Sequence, residues 1–352
     1  MYLKGDPTND RFLKACRRQP VDCTPVWFMR QAGRYMKEFR AIRAKQPLLT
    51  VCKTPGLAAE VTLQPIARFN LDAAIIFADI LLPLEPMGLN LEFVKGEGPV
   101  IHNPVRDKGG IEALRPVTPE EDLRYVMEAI RNVCRELKVP LIGFAGAPFT
   151  LASYMIEGGA SRNYIRTKQL MYAAPDLWAL LMTKLTRVLA DYLSAQVVAG
   201  ADVLQVFDSW IGALSPEDYR RYIFPYMKTL FSELHNCGVP IIHFGTGTAM
   251  LIELQKEAGG DVIGLDWRIN LDEGWRRLGS DVAVQGNLDP VVLFAPIPEI
   301  EKRVDDILRR AENRPGHIFN LGHGILPETP VAHVEAVIEM VHTKSARIKN
   351  SE

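Results

Sequence analysis

Eight short apolar runs, each rich in Val, Ile or Phe, recur along this chain and are separated by long stretches of helical periodicity. They read PVWFM (Pro25 to Met29), DAAIIF (Asp72 to Phe77), PLIGF (Pro140 to Phe144), ADVLQVF (Ala201 to Phe207), PIIHF (Pro240 to Phe244), DVIGLDW (Asp261 to Trp267), VAVQG (Val282 to Gly286) and HIFNL (His317 to Leu321). Runs without polar alternation describe strands covered on both faces, as in a parallel sheet wrapped in helices. The intervening helices have legible starts. Thr118-Pro119-Glu120-Glu121 and Ser215-Pro216-Glu217-Asp218 each set a cap hydroxyl, a first-turn proline and an acid three residues on. Pro175 heads a long run that ends at Gly200.

This alternation predicts an α/β protein: a single (β/α)8 TIM barrel over residues 1–352, with a frayed tail from about 344 (KSARIKNSE). An open doubly wound sheet is the structural alternative, but no GxGxxG follows the first run, which removes its commonest cofactor signature. One segment interrupts the rhythm. LNLEFV (Leu89 to Val94) and PVIHN (Pro99 to Asn103) flank Lys95-Gly96-Glu97-Gly98, the pattern of a β-hairpin inserted after the second strand. Long loops following barrel strands usually shape the active site.

Charge and cysteine usage remove several classes of function. The net charge of −1 gives no global field for nucleic acid or for an anionic membrane surface, so an anionic substrate has to be caught by local arginines. The five cysteines show no C-x-x-C spacing and are odd in number, against a disulfide framework and a zinc ribbon. No run approaches the roughly 18 apolar residues of a membrane span, and MYLKGDPTNDRF lacks the apolar stretch of a secretory signal. A cytoplasmic protein with no metal and no cofactor is expected.

In a barrel the working groups stand where strands end, at the carboxyl-terminal face. After the first run come Arg30, Gln31, Gly33 and Arg34; after the second, Asp79; beyond the third, Tyr154; after the fourth, Asp208 and Ser209. The fifth leads to Gly245-Thr246-Gly247, the sixth holds Asp266 and leads to Arg268, the seventh leads to Asn287 and Asp289, and the eighth to His323. Each has a plain alternative. Asp79 and Ser209 are also natural turn caps, Arg30 and Arg34 natural surface cations, and Tyr154 a natural packed aromatic. Two arginines in one short turn nevertheless suit a carboxylate clamp, because the guanidinium binds carboxylates bidentately and stays charged. His323 stands between Gly322 and Gly324, small neighbours that let a backbone bring imidazole close to a ligand. His235-Asn236-Cys237 falls before a strand, on the stability face, and is not read as a metal pair.

The run PVWFMRQAGRY (Pro25 to Tyr35) resembles the N-terminal signature of uroporphyrinogen decarboxylases. The resemblance continues through FRAIRAKQPLL (Phe39 to Leu49), AAIIFADILLPLEPMG (Ala73 to Gly88), PLIGFAGAPFTLASYMIEGG (Pro140 to Gly159), LQVFDSWIGALSP (Leu204 to Pro216) and FNLGHGILPETP (Phe319 to Pro330). It implies a homodimeric, cofactor-free barrel that converts four acetate side chains of uroporphyrinogen to the methyl groups of coproporphyrinogen. It further implies Arg30, Arg34 and Arg43 as carboxylate contacts, Gln31, Ala32 and Gly33 lining the same turn, and Asp79 meeting the pyrrole NH groups. Tyr154, Phe207, Ser209 and His323 complete the implied substrate contacts, with Asp79, Tyr154, Arg30 and His323 as catalytic candidates. Phe149, where the family often shows tryptophan, and Ala78, where relatives carry a small polar residue, depart from the pattern beside the site.

Two rivals stand beside this reading. A related barrel methyltransferase acting on corrinoid or thiol methyl groups needs a zinc site with His-x-Cys after strand five and a cysteine near strand eight. Here those positions read His243-Phe244-Gly245 and Leu321-Gly322-His323, without thiolates. A catalytically idle tetrapyrrole-binding scaffold would lack the acid or the clamp, and both are present.

Overall fold

The computed structural model describes residues 9–347 with the exception of Lys95. Seven of the expected runs form one parallel sheet: β1 (Ala74–Ile75), β4 (Leu141–Gly146), β5 (Val203–Asp208), β6 (Ile241–Gly245), β7 (Val262–Gly264), β8 (Ala283–Gln285) and β9 (His317–Ile318), neighbours in that order. β2 (Leu91–Val94) and β3 (Gly98–Ile101) pair antiparallel as a separate two-stranded unit, with Leu91 opposite Ile101. The first run departs from expectation. Only Val26 pairs there, in a single parallel bridge to Phe319, while its carbonyl accepts from the Asp72 N–H (3.0 Å). The segment therefore lies between β9 and the residues leading into β1, yet is too short in its pairing to be a strand.

Alternation along the strands sorts the core into layers. Trp27, Ile142, Val203, Ile242, Phe244, Val262, Ala283 and Ile318 pack together, and Phe12, Ala15 and Cys16 of the helix Arg11–Cys16 join the same cluster. A polar thread crosses this layer: Trp27 Nε1 donates to Gln285 Oε1 (2.9 Å), and Gln285 Nε2 to Gln205 Oε1 (3.3 Å). Burying these groups without such bonds would cost several kcal/mol. The opposite strand face supports the helices. Val206 and Leu204 of β5 pack with Trp178, Leu185, Leu189 and Tyr192 of the long helix Pro175–Ala199.

Helix starts agree with the sequence in one case and differ in the other. Ser215 Oγ accepts from the Asp218 N–H (3.1 Å) and donates to its carboxylate (3.0 Å), opening Pro216–Tyr222. Thr118 contributes no hydroxyl cap; the Asp122 carboxylate accepts from the Thr118 N–H instead (2.8 Å), and the helix Pro119–Asp122 is a single turn. The chain end is also better anchored than expected. The last helix runs Val331–Lys344, the Arg347 N–H donates to Asp22 O (2.7 Å), and Arg347 Nη2 donates to Asn313 O (2.7 Å). The remainder of the expected tail, 348–352, lies outside the described residues.

Candidate active site

The segment after Met29 is a tight turn built from its own side chains. Arg30 adopts φ 61°, and a Cβ on Gly33 would sit 2.8 Å from the Arg30 carbonyl oxygen, so the turn requires glycine there. Gln31 is buried and braces the turn: its Oε1 accepts from the Phe28 N–H (3.1 Å), its Nε2 donates to Ala73 O (3.0 Å), and its carbonyl accepts from Tyr35 Oη (2.7 Å). Both ends of the Gln31 carboxamide are thus engaged inside the protein. Ala32 packs on the neighbouring apolar cluster. Arg30 and Arg34 are exposed. Arg43 ends the helix Lys37–Arg43 and donates to the Gln46 carbonyl, and its charge, like that of Asp79, is felt at the Cys52 thiol.

Four candidates converge electrostatically. Asp79 follows β1 and is partly buried; one oxygen caps its own turn by accepting from the Leu81 N–H (2.9 Å). The turn cap read from the sequence is present, and it engages Oδ1. Burial raises its carboxyl above the ordinary range, against the Leu81 N–H and the Arg30 charge, which lower it. Tyr154 packs on Trp210 (ring centroids 5.7 Å apart), and burial, with the charge of Asp79 adding to it, pushes its hydroxyl up to about 12.

His323 lies on the loop after β9. A Cβ on Gly324 would meet Arg30 Cδ at 2.5 Å, so that glycine makes room for the arginine stem. The Gly324 N–H donates to His323 Nδ1 (2.8 Å), which leaves the hydrogen of the neutral ring on Nε2. Burial, then the charges of Arg30 and Arg268, lower the imidazole to about 4. The ring is therefore a neutral hydrogen-bond donor near pH 7.

Phe207 closes β5 beside Phe144 (5.5 Å) and Phe244 (6.0 Å), an aromatic floor. Ser209 is partly buried just beyond it. Phe149 is fully buried between Tyr164 and Trp178, so the departure noted there alters helix packing rather than the pocket wall; Ala78 stands next to Asp79, partly buried. The sequence set Asp208 beside Ser209 at a strand end, but only Ser209 was carried into the implied substrate contacts. Asp208 is fully buried, accepts from Thr150 Oγ1 (2.9 Å), and is pushed up to about 7 by burial. Its Oδ2 has no partner among the described residues. Its position at a strand end was the available signal.

Among the described residues no three His, Cys, Asp or Glu side chains stand together as metal ligands. His243 Nδ1 is engaged by the carbonyls of Gln255 (3.3 Å) and Gly259 (3.2 Å). Also among the described residues, no helix is long and apolar enough to cross a membrane.

A curled parallel sheet with an acid, an arginine, a tyrosine and an imidazole gathered beyond its carboxyl-terminal strand ends defines a protein of the TIM-barrel-like α/β class. A methyltransferase from Methanosarcina mazei shares this fold at TM-score 0.79 and 20% identity, over 96% of this chain and 99% of that one. A B12-independent methionine synthase from Shewanella sp. W3-18-1 superposes more loosely, at TM-score 0.52 and 12% identity over 82% of this chain and 88% of that one. Residues 7–344 match the family model described as uroporphyrinogen decarboxylase (URO-D). The uroporphyrinogen decarboxylase of Sorangium cellulosum is 60% identical, covering 95% of this chain and 96% of its own length, and that of Solibacter usitatus is 58% identical, covering 96% and 99%. The chain belongs to the uroporphyrinogen decarboxylase family.

Proposed function

We propose that this protein is a carboxy-lyase that converts the four acetate side chains of uroporphyrinogen to methyl groups, giving coproporphyrinogen for porphyrin biosynthesis. The observation that carries the reading is Asp79: a desolvated carboxylate with only one oxygen capped, coupled to Arg30 and Tyr154, in a chain 60% identical to a uroporphyrinogen decarboxylase over nearly its full length.

The chemistry follows from where electrons go. Protonation of a pyrrole ring carbon creates a cation beside the acetate. The C–C bond to the carboxylate then breaks, carbon dioxide leaves, and its electron pair neutralises the ring as an exocyclic methylene. Protonation of that methylene gives the methyl group, and loss of the ring-carbon proton restores the pyrrole. A carboxylate aimed at the pyrrole NH groups stabilises the cation more than the neutral ring, which is differential transition-state binding. Arg30 and Arg34 hold the peripheral carboxylates, and Tyr154, Phe207 and Ser209 line the macrocycle. His323, neutral near pH 7, serves as a donor of a hydrogen bond rather than as an imidazolium acid.

The segment 25–29 is taken as the eighth stave of a (β/α)8 barrel, because Val26 bridges Phe319 and accepts from the Asp72 N–H. A cytoplasmic homodimer is the working assembly, supported by the family relationship and by an odd number of cysteines without C-x-x-C spacing. The methyltransferase alternative is disfavoured by the absence of thiolates after β6 and β9 and by the engagement of His243 in backbone contacts.

The test is coproporphyrinogen formation from freshly reduced uroporphyrin under anaerobic conditions. Oxidised uroporphyrin, with two inner NH groups and an aromatic ring that carbon protonation would break, is expected to inhibit without being decarboxylated. Equal carbon dioxide release from both forms would overturn the pyrrole-protonation route.

A further inference from the structure

The arginines assigned so far to substrate carboxylates, Arg30, Arg34 and Arg43, all follow the 25–29 segment, on its turn or in the helix after it. Arg268 stands elsewhere, after β7, which β8 separates from β9. Its partner Asp266 is buried and held rigidly: Oδ2 accepts from the Gly247 N–H (2.6 Å) and pairs with Arg268 Nη1, while Oδ1 accepts from the Arg268 backbone N–H (3.0 Å). Asn287 Nδ2 donates to the carbonyls of Asp266 (2.8 Å) and Ile269 (2.6 Å), tying the turn at both ends. The guanidinium carbon lies 4.1 Å from the Trp267 ring centroid, and the Arg268 side chain stays 48% exposed. The loop carrying His323 rests on this turn, since a Cβ on Gly322 would come within 2.6 Å of the Trp267 nitrogen.

We propose that Arg268 is a further contact for a substrate carboxylate, with Asp266 as its positioning residue, and that the pair favours porphyrinogens carrying more carboxylates. This rests on the functional reading above. A macrocycle with eight peripheral carboxylates presents charge all round its edge, and cations on one arc meet only one side of it. Arg268 extends the cationic edge past the His323 loop, against which Trp267 packs at Gly322 and Arg30 at Gly324. Its ion pair and its stacking on Trp267 fix the side chain before ligand arrives, so less rotamer entropy is lost on binding. One Nη is engaged by Asp266, and the exposed remainder of the planar fork suits a carboxylate.

The test uses the full chain with R268A, R268K and D266N. Binding of uroporphyrin and of coproporphyrin, which carry eight and four carboxylates, is followed by fluorescence quenching, and anaerobic turnover of uroporphyrinogen is measured in parallel. R268A is expected to weaken uroporphyrin binding about tenfold, coproporphyrin less, and to raise KM similarly with kcat within about twofold. R268K, which keeps charge without the fork, falls between, and carries the same test should R268A be poorly folded. D266N is expected to shift KM in the same direction, and its effect to be non-additive with R268A. Unchanged uroporphyrin affinity and KM in R268A, or a loss confined to kcat, overturns the assignment of Arg268. Porphyrin binding that depends on Arg268 in a wild type without turnover overturns the decarboxylase reading alone.

Discussion

Asp72 and Asp79 flank the same short strand, seven residues apart, and their surroundings are opposite in kind. Asp72, at the strand's beginning, is fully buried and fully partnered. Its Oδ1 accepts from Asn9 Nδ2 (3.0 Å) and Arg11 Nη1 (2.5 Å), and its Oδ2 from the Val26 N–H (2.7 Å) and His342 Nε2 (2.7 Å). Burial alone would raise its carboxyl, but His342 and Arg11 overcome it and hold the group below the ordinary range. Asp79, beyond the strand's end, has one backbone N–H on one oxygen and is raised. The contrast extends around the sheet. Asp202 and Asp261, less buried, repeat the bond to a strand-start N–H, accepting from Leu141 (2.7 Å) and Ile241 (2.8 Å), whereas Asp208, the last residue of β5, keeps an oxygen without a partner among the described residues. One rim of the sheet uses carboxylates to tie strand beginnings together; on the other, where Asp266 is fully bonded, Asp79 and Asp208 stay under-bonded, and a ligand can complete them.

The sharpest way to break this comparison is to delete the structural acid. Asp72→Ala leaves Arg11, His342 and the Val26 N–H without their shared partner, and a loss of about 3–5 kcal/mol in unfolding free energy is expected, with turnover per folded molecule unchanged. Denaturant melts check it; a stable but inactive variant would erase the distinction between the rims. Because the folded Asp72 value is depressed, its contribution is present above the unfolded carboxylate value of about 3.9 and is lost as pH falls through the lower folded one.

Asp79→Asn should do the reverse, preserving the melt and lowering kcat by at least about 10²-fold, the scale of one major transition-state electrostatic contact. Since the Asp79 carboxyl is raised in the free protein, kcat/KM should fall on the acid side at a pH above the ordinary carboxylate range, and no second inflection should mark His323 near 6.5. Near wild-type turnover in Asp79→Asn would remove it from the chemistry.

Arg30→Ala removes a charge-assisted partner worth about 1.5–3 kcal/mol, expected as a KM increase of tenfold or more together with a lower rate. Unchanged kinetics would place Arg30 outside the pocket. The smallest effect is expected at Asp208. Its folded value is raised to about 7, so its ionised form costs stability increasingly as pH rises from about 4 through 7. Asp208→Asn keeps an acceptor for Thr150 but brings an unsatisfied NH2, for a net gain of about 1 kcal/mol, or 1–2 °C in Tm, at pH 8 and none near pH 4. A variant equally displaced at both pH values would show that Asp208 does not titrate as described.

The sequence carried the parallel strands, the helical wrapping and the positions of Asp79, Arg30 and His323 beyond strand ends, because a strand buried on both faces reads as a mostly apolar run and its loops carry most of the polar groups. It also carried the family, through long motifs such as PVWFMRQAGRY. Other features were decided only in three dimensions. DAAIIFAD presents Asp72 and Asp79 as equivalent acids beside one apolar run; what separates them is that Arg11 and His342, 61 and 270 residues away along the chain, meet the first and not the second. Gln31 reads as lining its turn until Phe28 and Ala73 are seen to take its amide, and Arg268 reads as one more polar group after a strand until Asp266, Asn287 and Trp267 are seen to fix it and its turn. Local periodicity records whether a residue is covered. Which partner covers it depends on loop closures between distant segments, and the energy of a buried charge is set almost entirely by that partner.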